Sequence, residues 1–299
     1  MIILTEKITK ENKSTLISDL KSLFKLKVLI ANVLPIITGI WLVLRFNNIP
    51  IFENMNIILL TFIGGLLVVA GALVINNWYD TDIDTVMDRT KSRPTVTGNM
   101  SLPTVLLIGS ITSLIGFVLL FFTNWEVVIY SFIGWFTYVF PYTMWTKRKY
   151  TWNTIIGSVS GAVTPMIGWA AFDSTLHIVP IAFFLILFFW QMPHTYVIAI
   201  RKFDEYKLAD VAMLPVVKGI QVTKWMMLIY LICLIPLPFM LTSLGWFYVI
   251  FITIMNIAWI VIVIRGFSVR DNFKWAQQNF VISVIYLMIV FVLAIVVTI

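Results

Sequence analysis

Residues 55–84 read MNIILLTFIGGLLVVAGALVINNWYDTDID, and the fold turns on them. From 55 to 78 there is no charged side chain, and about 20 apolar residues are enough to cross the hydrocarbon of a bilayer. Asp80, Asp82 and Asp84 follow directly, so this segment leaves lipid into an acidic border. Eight more apolar runs stand out at 28–45, 104–122, 126–144, 153–171, 178–199, 224–243, 246–264 and 278–298. The expectation is an all-α, polytopic membrane protein, a bundle of nine transmembrane helices. Composition agrees. Of 299 residues 60% are hydrophobic and 12% charged, with a mean hydropathy of +0.96; a soluble domain carries about a quarter charged residues, so an ordinary soluble enzyme is excluded. The single cysteine, Cys233, has no partner for a disulfide.

Charge placement sets the predicted orientation. Beyond the N-terminal residues, Lys and Arg fall at 89–93, 147–149, 201–224 and 265–274, the loops after the second, fourth, sixth and eighth spans. Arg45 is the one basic residue on the opposite side, which otherwise holds Glu53, Glu126 and Asp173. The positive-inside rule then puts the N-terminus in the cytoplasm and the C-terminus outside. This accounts for the net charge of +7 without nucleic acid. Residues 1–27 mix Lys with Glu and Asp and read as a solvated or interfacial cytoplasmic arm rather than a cleaved signal. Residues 28–299 read as one transmembrane domain of two four-helix halves, about 28–144 and 153–264, plus a ninth helix at 278–298.

The two long loops, 79–103 and 200–223, share the predicted cytoplasmic face. Asn76, Asp80 and Asp84 are spaced by four and would stack along one ridge of a continuing helix. Clustered carboxylates at a membrane border call for a cation. Oxygen ligands with no His or Cys nearby favour a hard ion, Mg²⁺. Arg89 and Arg93 follow, and arginine suits phosphate oxygens; together these residues describe a metal-bridged diphosphate site. The second loop carries Lys202, Asp204, Glu205 and Tyr206. A hydrated loop accounts for Asp204-Glu205 alone; its position opposite the first cluster makes it a candidate second metal site. Between the loops, Lys147, Arg148 and Lys149 serve as a topology-setting turn or reach the diphosphate. His194, next to Pro193 near the end of the sixth span, is either a hydrogen-bonded structural residue or a substrate contact.

Asn76-x-x-x-Asp80-x-x-x-Asp84 with Arg89 and Arg93-Pro94 resembles the first signature of the UbiA superfamily of intramembrane prenyltransferases. The likeness extends through Tyr142-Thr143-x-Trp145-x-Lys147-Arg148, Pro165-Met166-Ile167-Gly168-Trp169, Pro193-His194, Asp204-Glu205-Tyr206 and Met213-Leu214-Pro215-Val216-Val217-Lys218-Gly219. The last three blocks are similar to the branch that farnesylates haem. The resemblance implies an active site at the cytoplasmic mouth, with farnesyl diphosphate and haem b as substrates and haem O as product. Mg²⁺ would be held by Asn76, Asp80, Asp84, Asp204 and Glu205. Arg89, Arg93, Lys147, Arg148 and Lys202 would neutralise the diphosphate, with Tyr206 beside them and His194 orienting or ligating the haem. It also implies the plasma membrane of a bacterium, with a haem A synthase or a terminal oxidase as candidate partner. Three positions depart from the family pattern: Glu205 replaces an aspartate, Thr195 an aromatic residue and Asp210 a small one. A prenyltransferase for an aromatic quinone precursor shares the first motif. A transporter is the reading from another class, and acids gathered at one face, with span interiors nearly free of charge, argue against it.

Overall fold

The computed structural model describes residues 16–299; residues 1–15, the first part of the predicted arm, lie outside them. Among the described residues every regular element is helical. A short helix α1 (Leu16–Leu23) leads into α2 (Leu26–Phe46), α3 (Met55–Tyr79) and the short α4 (Thr81–Val86). Next come α5 (Leu102–Phe121), α6 (Trp125–Lys149) and the short pair α7 (Asn153–Ala162) and α8 (Thr164–Trp169). The chain ends with α9 (Ile178–Arg201), the short α10 (Phe203–Leu208), α11 (Ile220–Leu244), α12 (Trp246–Ser268) and α13 (Asn272–Val296).

Eight of these helices are long and apolar enough to cross a membrane. The expected span 153–171 is not a ninth continuous helix but the pair α7 and α8. Proline explains the break. Pro165 has no N–H to give to the Gly161 carbonyl, and its ring crowds that turn. The Thr164 hydroxyl donates to Gly161 O instead, at 2.6 Å. Pro141 acts similarly in α6, where Tyr138–Thr146 widens into a π-helical stretch and the Thr146 hydroxyl donates to Pro141 O at 2.8 Å.

Small residues let the backbones meet, as membrane helix packing requires when lipid is as apolar as the side chains. At the crossing of α2 and α8, a Cβ on Gly168 would lie 2.1 Å from Ile36 O, and one on Gly39 would lie 2.2 Å from Pro165 O. Outward-facing Leu107, Leu114, Phe247 and Ile254 are exposed, a continuous apolar surface of the kind that lipid covers. α1 is no detached arm: Leu23 is fully buried with Val74 and Val105, and Asn77 Nδ2 donates to Leu23 O at 2.6 Å.

Candidate active site

The acidic end of α3 bends without unravelling. Asp80 has φ −88° and ψ 12°, outside helical geometry, and α4 restarts directly after it. Asp80 N–H still donates to Asn76 O, and Asp84 N–H to Asp80 O, both at 2.9 Å. The four-residue stacking therefore survives the bend, and Asn76, Asp80 and Asp84 are all buried. The Asn76 amide donates to Asp80 Oδ2 at 2.7 Å and to Thr143 Oγ1 at 2.9 Å, tying α3 to the π-helical stretch of α6.

Each of these three residues meets a cation. Arg93, itself buried, bonds Asp84, and Lys147 bonds Asp80. Lys25 Nζ donates to Asn76 Oδ1. Sequence alone does not mark Lys25 as a site residue, since it belongs to the arm read as solvated or interfacial. It joins α1 to α2 in a left-handed conformation (φ 46°, ψ 53°), which turns the chain over the mouth. Burial, then the neighbouring Arg93 charge, holds its ammonium well below the ordinary lysine range, against the pull of Asp80. Arg148 is held mainly by Asp82: its guanidinium forks onto that carboxylate at 2.6 and 2.7 Å and lies over the Tyr79 ring, with Nη2 3.9 Å from Asp80 Oδ1. Those bonds hold the Asp82 carboxyl below its usual range. Arg89 is exposed at the rim.

The second acidic loop does face the first. Ile83 and Met87 pack with Ala199, Val211 and Met213, and Tyr206 lies against this cluster. Burial pushes the Tyr206 phenol up. Lys91 lies within electrostatic reach of Glu205, and Asp88 of Lys202. The two acids of this loop separate. Asp204 is exposed, whereas Glu205 is partly buried and bonds Lys202 at 2.5 Å. Among the described residues, no three His, Cys, Asp or Glu side chains form a ready metal-binding group. The donor chemistry nonetheless suits a hard ion. Asp80 Oδ1 and Glu205 Oε2, one in each loop, are buried carboxylate oxygens with no hydrogen-bond partner.

Below the carboxylates a cavity opens into the bundle, about 850 Å³ of space that is partly open to the surroundings. Tyr138 and Tyr142 stand on its wall, their rings 5.6 Å apart, with Val68, Val69, Ala72 and Leu73 beyond them. On α9 it is Gln191 and Thr195 that line this space. His194 does not. Its ring stacks between Trp190 and Phe280, and Nδ1 bonds Ser283 Oγ at 2.7 Å, toward α13. The Ser283 hydroxyl gives its own proton to Phe280 O, so His194 is the donor. His194 is thus turned from this cavity toward α13.

The chain matches the model of the UbiA prenyltransferase family over residues 32–296. It is 47% identical over 281 residues to the protoheme IX farnesyltransferase of Oceanobacillus iheyensis, covering 94% of this chain and 90% of that protein. Against the protoheme IX farnesyltransferase of Bacillus cereus the identity is 46% over 292 residues, 97% of this chain and 95% of the relative. Among solved structures, a digeranylgeranylglyceryl phosphate synthase superposes with a TM-score of 0.73 at 23% identity, over 94% of this chain and 98% of that one. A UbiA homolog from Archaeoglobus fulgidus bound to DMAPP and Mg²⁺ superposes with 0.68 at 15% identity, over 93% and 99%. At these identities the two structures speak for the fold. The acidic stretch at the bend of α3, the cavity beneath it and the family match over nearly the whole chain lead to one assignment: the chain belongs to the UbiA prenyltransferase family.

Proposed function

We propose that this protein transfers the farnesyl group of farnesyl diphosphate to a vinyl group of haem b, with addition of water, giving haem O and diphosphate. The observation that carries the reading is the near full-length similarity to proteins named protoheme IX farnesyltransferase, joined to a cavity beneath a carboxylate and cation cluster. Asn76, Asp80, Asp84 and Glu205, with Asp204 at the rim, would hold Mg²⁺. When bound, that ion offsets charge on the leaving diphosphate. Arg93, Lys147 and Lys25 point into the same cluster and share that work, with Arg89 and Lys202 at its edge. Arg148 holds the turn through Asp82.

As the bond between C1 and oxygen breaks, an allylic cation forms next to Tyr138 and Tyr142, whose ring faces stabilise positive charge. Val68, Val69, Ala72 and Leu73 on the wall keep water from that side, where it would quench the cation early. The terminal vinyl carbon of haem b then bonds to farnesyl C1. This leaves a second cation on the carbon attached to the porphyrin, and water adds there. The bundle sits in the cell membrane of a bacterium, and the pair α7 and α8 makes a ninth crossing within one domain of two four-helix halves. The N-terminus and the site face the cytoplasm. Haem O is too apolar to leave the bilayer, which makes a haem A synthase or a terminal oxidase the natural protein partner.

The test is turnover of purified protein in nanodiscs with haem b, farnesyl diphosphate and Mg²⁺, read by mass spectrometry. Haem O is expected with Mg²⁺ and absent with EDTA. No haem O, with prenylation of an aromatic acid in a parallel tube, would overturn the acceptor. His194 acts as a strut on this reading. His194→Gln should keep haem O formation within about threefold while costing roughly 1–2 kcal/mol of stability, from one buried hydrogen bond and two ring stacks. A variant that folds with unchanged melting but no longer turns over haem b would return His194 to the substrate.

A further inference from the structure

Gln191 sits one residue past Trp190 on α9 and faces the cavity that His194 avoids. Its Nε2 donates to two backbone carbonyls, Ser158 O at 3.1 Å and Leu187 O at 3.3 Å. Both amide protons are therefore used within the protein, and the orientation of the amide is settled. Oε1 receives no hydrogen bond from any described residue, and it is not among the buried orphan atoms. It is an acceptor left accessible at the cavity. Gly161 makes room for it: a Cβ there would lie 2.7 Å from both Nε2 and Oε1. The amide lies flat on the α7 backbone because residue 161 has no side chain.

The depth of this group is set by α7. Gly157 rests against the Tyr142 ring, where a Cβ would lie 2.8 Å from Cδ2. Gly161 is four residues on, about 6 Å further into the bundle. Farnesyl C1 must lie beside the diphosphate and hence near Tyr142. The second cation forms two bonds beyond C1, and a vinyl group entering from the cavity would place it toward Gln191. We infer that Gln191 holds, through Oε1, the water that captures this second cation and so decides that the product is an alcohol. This rests on the farnesyl transfer proposed above.

The chemistry favours an amide at this place. A neutral carbonyl accepts one O–H of a water and leaves the oxygen lone pair free for the cation. It is too weak a base to pull a proton from the carbon next to the cation, which a carboxylate would do. The water oxygen bonds to the carbon attached to the porphyrin, and its spare proton leaves to the released diphosphate. Farnesyl diphosphate, haem b and water thus become haem O and protonated diphosphate, with no oxidant or reductant. Without a held water, the cation loses a proton from its neighbouring carbon and the product is an alkene, lighter than haem O by one water.

The experiment compares wild type, Gln191→Leu and Gly161→Ala in nanodiscs with haem b, farnesyl diphosphate and Mg²⁺ in ¹⁸O-labelled water. Mass spectrometry reads the ratio of alcohol to alkene. Wild type should give labelled haem O, and Gln191→Leu should still consume haem b while the ratio falls at least about tenfold. Gly161→Ala keeps the glutamine but displaces its amide, and should shift the ratio the same way by a smaller factor. An unchanged ratio in Gln191→Leu overturns the inference. If that variant fails to fold, an unchanged ratio in Gly161→Ala does so. A wild type that makes no haem O at all overturns instead the reaction on which the inference rests.

Discussion

Asp80→Ala should lower the rate of haem O formation by about 10³-fold at saturating substrates, the scale on which a group stabilising leaving-group charge matters. Asp80 is 1% exposed and stands at the centre of the cluster. It accepts from Asn76 and Lys147, and Arg148 Nη2 approaches Oδ1 at 3.9 Å. On the proposed reading, removing it deletes an oxygen of the Mg²⁺ site. It also leaves the Lys147 ammonium, largely buried, without its counter-charge, which costs more than the pair was worth. The lost oxygen falls on the chemical step, so raising Mg²⁺ should recover only part of the rate, whereas the unpaired ammonium costs stability. Asp82→Ala is the internal control. Asp82 is exposed and engaged with Arg148, and its loss should change the rate by no more than a few-fold. Rates measured against Mg²⁺ concentration decide the matter; an Asp80→Ala enzyme within tenfold of wild type would remove Asp80 from the metal set.

Gly168→Ala should destabilise the bundle by about 3 kcal/mol or more, at the upper end of what overpacking costs. Glycine to alanine inside a helix ordinarily stabilises by up to about 1 kcal/mol, so the sign itself is diagnostic. The new methyl would meet backbone on the facing helix: Ile36 O at 2.1 Å, Ile40 N at 2.8 Å and Gly39 Cα at 3.1 Å. No side chain can rotate away to admit it; α2 and α8 must separate. Gly65→Ala is the comparison, because there a Cβ meets side chains alone, the flexible end of Ile36 (Cδ1) at 3.2 Å and Ile167 Cγ2 at an ordinary 3.7 Å. That variant should stay within about 1 kcal/mol of wild type. Thermal unfolding in the same detergent checks both, and equal melting temperatures would mean that the crossing is looser than drawn.

The Asp80 site was visible in the order of residues, because a spacing of four keeps side chains on one ridge and the bend at Asp80 preserves both backbone hydrogen bonds. The spans were visible for a similar reason: hydrocarbon thickness sets the length of an apolar run, and the eight long helices fall where those runs do. The discontinuity in 153–171 had its marker in Pro165, whereas its repair by the Thr164 hydroxyl is a feature of the folded helix pair.

Other features joined residues that are far apart in the chain. Lys25 reaches Asn76 across 51 positions, and no local pattern announces that a lysine of the N-terminal segment will close the mouth. His194 and Gln191 make the case most sharply. They lie three residues apart on one helix, yet one turns to Ser283 on α13 and the other to the cavity. A helix in water shows its inner face by the contrast between apolar and polar sides. Within a bilayer both sides are apolar, and packing between helices alone decides which residue looks inward. Local order thus specified the membrane class, the spans and the first carboxylate motif, while the rotation of each helix, and with it the choice of glutamine over histidine at the cavity, came from the assembled bundle.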